Sequence, residues 1–215
     1  MRALSALNVL VMALCGVSQI RGLSLLQQLP EVHGDKFYYF GFGSNMLAKR
    51  IHIKNPSAKF LGAALLKNYR VDFSLPSKFW KGAVATAVPT FGMQTWGTLW
   101  EIDLVNLPDL DSQEGVHLGR YRPVSVKVKL RSNDKEIPAR LYVITKEPKG
   151  NVRDLPSHEV PLNRQPSKTY LRVMVKGAME SGIPKKYITW LKGFKHNNKT
   201  VQQLEDLFEL DSVEL

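Results

Sequence analysis

The sequence predicts an α+β fold: a small mixed or antiparallel β-barrel with flanking helices packed outside it. Three observations carry this. Short apolar and aromatic runs of strand character dominate up to residue 145. Segments with helical starts and stops take over from Thr169 onward. Gly, Pro, Asn and Ser separate the runs, with no internal repeat or low-complexity tract among them.

Each element has a local reason. Phe37-Tyr38-Tyr39-Phe40 is an aromatic strand that ends in the glycine-rich turn Gly41-Phe42-Gly43-Ser44-Asn45. Met46 to Ile53 reads as a short helix, with Ser44 or Asn45 as its N-cap. Asn55-Pro56-Ser57 makes a turn. Phe60–Leu65 and Tyr69–Phe73 read as two strands, and Leu75–Gly82 as a loop rich in Pro, Ser and Lys. Val84–Val88 and Thr95–Ile102 resume strand character. Leu104–Gln113 reads as a helix, closed by Gly115. Tyr121–Leu130 and Ile137–Thr145 form a hairpin around Ser132-Asn133-Asp134, and Lys146–Pro166 is a long polar loop. Three helices complete the chain: Thr169–Ser181 ended by Gly182, Pro184 to about Leu191, and Val201 to about Phe208.

The chain has 215 residues, 44% hydrophobic and 23% charged, which fits one domain with a full core plus a short leader. Arg2 followed by an apolar run from Ala3 to Val17, then small residues at Gly16, Ser18 and Gly22, describes a cleaved secretory signal peptide over residues 1–22. The run is short for a transmembrane helix, so no stable membrane association is expected. Residues 23–35 read as a linker, 36–208 as the domain and 209–215 as a C-terminal tail. The single cysteine, Cys15, falls in the leader, which excludes thiol catalysis and thiolate metal sites in the mature chain. The sequon Asn198-Lys199-Thr200 makes Asn198 a glycosylation candidate. The net charge is +11, but its Lys and Arg are dispersed, so a solvated surface is expected and no nucleic-acid partner.

Two places can carry chemistry. The turn Tyr39-Phe40-Gly41-Phe42-Gly43-Ser44-Asn45 lets backbone approach a ligand and, ahead of a helix, aims free N–H groups at a carboxylate or oxyanion. It lacks the Gly-Lys-Ser/Thr of a phosphate loop and the third glycine of a dinucleotide fingerprint, so a plain tight turn is the competing reading. The second is Asp109-Leu110-Asp111-Ser112-Gln113-Glu114-Gly115. Carboxylates at a helix C-terminus face the negative end of its dipole, which raises their pKa toward that of a usable acid and base. Most such ends are merely solvated, which is the alternative here. Trp96 and Trp100 share one face of a strand and read as core. Tyr121, Tyr142 and Tyr170 stand beside element ends, where a hydroxyl can reach a polar ligand. The five histidines have no metal-ligand spacing, and Gly43-Ser44 lacks a nucleophile elbow, so neither a metal nor a serine hydrolase is supported.

At these residues the sequence resembles the γ-glutamylcyclotransferase family, from about Phe37 to about Leu207. The pieces are Gly43-Ser44-Asn45 after an aromatic strand, Arg50-Ile51-His52-Ile53-Lys54-Asn55-Pro56-Ser57-Ala58 and Trp96-Gly97-Thr98-Leu99-Trp100. Leu110-Asp111-Ser112-Gln113-Glu114-Gly115-Val116, Pro166-Ser167-Lys168-Thr169-Tyr170 and Lys176-Gly177-Ala178 follow in family order. Asn45 and Asn55-Pro56-Ser57 look like the γ-glutamyl amino acid branch rather than the glutathione-specific or γ-glutamylamine branches. The resemblance implies a barrel often found as a homodimer, a small-molecule γ-glutamyl substrate, and no cofactor or metal. It implies that Glu114 is the general acid/base, that Tyr39, Phe40, Gly41, Phe42, Gly43, Ser44, Asn45 and Tyr170 line the substrate pocket, and that Tyr121 and Tyr142 lie close by.

The implied chemistry suits the residues. The substrate's own α-amine is the nucleophile, so no Ser or Cys is required, and one carboxylate can serve first as base and then as acid. The N–H groups of the turn can meet the tetrahedral oxyanion. The chain departs from the family in two respects: Phe42 stands where a Tyr usually precedes the turn, and the leader is unusual among mostly cytosolic relatives. A secreted, non-catalytic binding protein that keeps the γ-glutamyl pocket is the rival reading, favoured by Phe42 and opposed by Glu114.

Overall fold

The computed structural model describes residues 26–215. The expected signal peptide and Cys15 lie outside them. Six strands form one sheet: β1 (Val32–His33), β2 (Lys36–Gly41), β3 (Lys59–Ser77), β4 (Gly82–Asp103), β5 (Tyr121–Leu130) and β6 (Glu136–Ile144). Their order is β1-β2-β4-β3-β5-β6, and a parallel bridge from Tyr39 on β2 to Arg140 on β6 closes β2–β6 into a five-stranded mixed barrel. Five helices complete the described structure: α1 (Ala48–Ile51), α2 (Leu107–Glu114), α3 (Lys168–Glu180), α4 (Lys185–Lys192) and α5 (Gln202–Phe208).

Closure sets where a site can form. Because β2 and β6 run parallel and β5 antiparallel to β6, the end of β2, the start of β5 and the end of β6 all lie at one end of the barrel. Alternation along β2 divides its side chains between two cores. Phe37 and Tyr39 join Trp100, Ile102, Leu107 and Leu110 on one side. Phe40 joins Leu99, Leu141 and the buried face of α3 on the other. That face of α3 (Tyr170, Leu171, Met174, Val175 and Ala178) follows the helical period, and its Ser167 N-cap accepts from the Tyr170 N–H.

Several sequence expectations are corrected here. The two short strand pairs are one long hairpin, β3–β4. Register shifts at Phe60/Gly62, Lys67/Tyr69 and Ser74/Pro76 absorb the breaks in alternation that read as loop. The expected Met46–Ile53 helix is a 3-10 turn, Ser44–Met46, followed by the single turn α1, and neither Ser44 nor Asn45 caps it. The residues read as linker pair with the sheet through β1, and Glu31 is buried against Arg140. The presumed tail packs too, with Leu210 and Val213 in the core. In each case tertiary burial, which local sequence does not display, fixes the element.

Candidate active site

A cavity of about 650 Å³ opens at the barrel end described above. Four elements supply its floor: the turn after β2, the C-terminal end of α2, the first turn of α3, and the tip of the β3–β4 hairpin. Helix α3 fixes the turn by direct contact. A Cβ at Gly177 would stand 2.5 Å from the Leu47 backbone N, and one at Gly43 would stand 2.9 Å from the Tyr170 hydroxyl, so both glycines are required by close approach. From the other side, the Trp100 indole N–H donates to the Asn45 carbonyl at 3.0 Å.

Glu114 is the last residue of α2, and Gly115 closes the helix in the left-handed conformation. Its half-buried carboxyl lines the cavity. Among the described residues its carboxyl receives one hydrogen bond, a long one of 3.3 Å from Asn45 Nδ2, which also donates to the Tyr39 hydroxyl at 3.0 Å. Desolvation pushes the Glu114 pKa up to about 7; the nearby Arg50 guanidinium pulls it down and the Asp111 carboxylate adds to the rise. The group therefore exchanges its proton near neutrality, as general acid/base work requires.

Asp111, one turn earlier, is not a solvated neighbour. Arg140 donates to both its oxygens through Nη2, at 2.8 and 3.0 Å, and the Tyr142 hydroxyl donates to Oδ1 at 2.5 Å. Arg140 also donates through Nε to the Tyr142 hydroxyl at 2.8 Å and through Nη1 to Glu31 at 3.2 Å. This network ties α2 to β6 and thereby holds Glu114 at the cavity wall.

The tyrosines are buried with defined roles. Tyr170 accepts from the Ala85 N–H at 3.1 Å and is hydrogen-bonded to the Ser44 backbone. Burial, and to a lesser degree the Glu114 charge, lifts its pKa to about 12, so its hydroxyl keeps a proton to donate. Tyr121 donates to the Ala85 carbonyl at 3.2 Å. Burial also raises the pKa of Tyr39 and Tyr142 well above the usual phenol value.

The structure brings Tyr39, Phe42, Gly43, Ser44, Asn45, Glu114, Tyr121, Tyr142 and Tyr170 to this one cavity. It does not bring Phe40 and Gly41. Strand alternation turns Phe40 into the opposite core, where it is fully buried, and Gly41 packs against the Asn45 backbone. Sequence reasoning missed Arg50, Trp80, Lys78 and Arg120, which also line it. Lys78 and Trp80 sit at a hairpin tip that reads as a polar loop, and only barrel closure brings them in. Among the described residues, no group of His, Cys, Asp and Glu is placed to hold a metal ion.

The AIG2-like family model matches residues 94–191, which include α2, β5, β6 and α3. The curated relatives narrow this class. The chain is 35% identical over 190 residues to the gamma-glutamylcyclotransferase of Bos taurus, covering 85% of this chain and 93% of that protein. It is 36% identical over 183 residues to the gamma-glutamylcyclotransferase of Mus musculus, covering 82% and 89%. A solved gamma-glutamyl cyclotransferase structure superimposes with a TM-score of 0.70 at 34% identity, over 81% of this chain and 98% of that one. The chain belongs to the γ-glutamylcyclotransferase family.

Proposed function

We propose that the protein is a γ-glutamylcyclotransferase that converts γ-glutamyl amino acids to 5-oxoproline and a free amino acid, with Glu114 as its general acid/base. The observation that carries this is a cavity-facing carboxyl with a pKa near 7, set beside the glycine turn that lines the same cavity. Glu114 takes a proton from the substrate's α-ammonium. The freed amine attacks the γ-carbonyl carbon, and a C–N bond closes the five-membered ring. The Tyr170 hydroxyl, whose oxygen is already engaged by backbone, donates to the oxyanion. The intermediate collapses: Glu114 returns its proton to the leaving nitrogen as the amide C–N bond breaks, then takes the second proton from the ring nitrogen and passes it to the departing amine, leaving a neutral lactam and an ammonium product. Holding amine and carbonyl at near-attack distance inside a walled cavity supplies the rest of the acceleration.

Purified protein should release 5-oxoproline from γ-glutamylalanine, and Glu114→Gln should lose roughly 10²–10⁴-fold in rate. Equal rates would overturn the assignment. Binding of γ-glutamyl compounds without turnover in the wild type would favour the non-catalytic reading.

Export, Asn198 glycosylation and homodimer formation are part of the same proposal. The leader composition supports export, and Asn198 and Thr200 are both exposed. Expression in animal cells should deliver protein to the medium beginning near residues 19–23, with a mass that falls on glycosidase treatment. Full-length chain retained in the cytosol would remove the export claim, and sedimentation tests the dimer.

A further inference from the structure

We propose that Arg50 holds the α-carboxylate of the γ-glutamyl group, an assignment that rests on the cyclotransferase reading of the cavity.

Arg50 lies on α1, six residues beyond Ser44, and lines the cavity with its guanidinium 5.9 Å over the Trp80 ring. Among the described residues its Nε is buried with no hydrogen-bond partner, and no carboxylate lies within ion-pair distance of it. The other half-buried or buried arginines, Arg70, Arg140, Arg164 and Arg172, each hold a carboxylate. A partly desolvated guanidinium with unmet donors favours an anion in bidentate contact. Lys78 and Arg120, the remaining cations of the cavity, are exposed at its rim.

Substrate geometry decides which carboxylate Arg50 meets. The amine nitrogen and carboxylate carbon of the glutamyl group share one carbon and lie about 2.5 Å apart. An amine at Glu114 therefore carries its carboxylate to the groups around Glu114. Of the cations lining the cavity with Glu114, Tyr39 and Tyr170, Arg50 is the one that is partly buried with an unpartnered Nε, whereas Arg120, packed against Gly115, and Lys78 are exposed to water. Neutralising Arg50 would also release its pull on Glu114 and make that group a stronger base as substrate arrives.

The test compares 5-oxoproline with 2-pyrrolidone, the same lactam without its carboxylate, by ligand-observed NMR at millimolar concentration. Wild-type protein should prefer 5-oxoproline by roughly 10–100-fold, the range for a hydrogen-bonded charge. Arg50→Met keeps a flexible stem over Trp80 and should bind the two equally. Arg50→Lys should keep part of the preference, because it retains the charge and loses the fork. Unchanged 2-pyrrolidone binding and thermal midpoint show an intact cavity in each variant. A preference that survives Arg50→Met, or no preference in the wild type, would overturn the assignment. If the preference behaves as expected but the wild type releases no 5-oxoproline from γ-glutamylalanine, the cyclotransferase reading falls and the Arg50 anion site stands.

Discussion

Two carboxylates of this molecule, Asp72 and the half-buried Glu114, are treated in opposite ways. Asp72, on β3, is fully buried and fully engaged. Arg164 reaches both its oxygens at 2.6 Å, Arg70 donates from Nε at 3.2 Å, and the N–H groups of Phe73 and Val152 donate at 2.7 and 3.3 Å. Glu114 receives one long bond from Asn45 and stays near Arg50 without pairing to it. Compensation makes a charge structural: Asp72 stitches the loop after β6 to the long hairpin. Incomplete compensation leaves a charge available for proton transfer. The difference between the two sites is the physical content of the functional claim.

The largest effects should separate the two sites by kind. Glu114→Gln removes roughly 10²–10⁴-fold in turnover with the fold intact. Asp72→Ala should do the reverse. Leaving Arg70 and Arg164 buried without their partner costs roughly 3–5 kcal/mol in denaturant unfolding, while kcat per folded molecule changes little. A stable Asp72→Ala protein, or one inactive though folded, would break the contrast.

Asp111→Asn probes the link between structure and chemistry. It weakens the Arg140 network at a cost of roughly 1–3 kcal/mol. It also removes a negative neighbour of Glu114, so the ascending limb of kcat/KM against pH should move down from about 7. An unmoved limb would mean that Asp111 does not reach the acid/base group.

A smaller effect tests the sign of the Glu114 environment. Its folded pKa is raised above the unfolded value of 4.5. Stability is therefore unaffected below the unfolded pKa and is lost as pH rises toward about 7, where the folded group must ionise against its surroundings. Glu114→Gln removes that loss, so its thermal midpoint should exceed wild type at pH 8 and match it near pH 4. The smallest expected change is Phe42→Tyr. A restored hydroxyl should improve kcat/KM in line with a hydrogen bond of about 0.5–1.5 kcal/mol. A loss would show the cavity rebuilt around the phenyl ring, which now stacks on Phe40.

What was legible in the sequence was what is contiguous in the chain. The glycine turn, the helix end bearing Glu114 and the Pro166–Tyr170 segment that opens α3 carry their signals within a few residues, and all three reach the cavity. Phe40 was misplaced because a motif read as a string ignores strand parity, neighbours in β2 facing different cores; Gly41 was misplaced because the Asn45 backbone folds back against it. Arg50 resembles any basic residue on a short helix until closure sets it over Trp80, 30 positions away. The Asp72–Arg164 pair spans 92 residues and leaves no local trace. The long hairpin was broken into pieces because bulges interrupt alternation without ending the strand.

The central claim is that Glu114 is the under-compensated carboxylate that moves the proton. Selective ¹³C labelling of glutamate carboxyls, assigned by comparison with Glu114→Gln, follows its titration in the folded protein. A midpoint near 7 is the predicted result. A midpoint at the ordinary glutamate value near 4.3 would contradict it, because a carboxylate so acidic is a solvated helix end and a weak base at neutral pH.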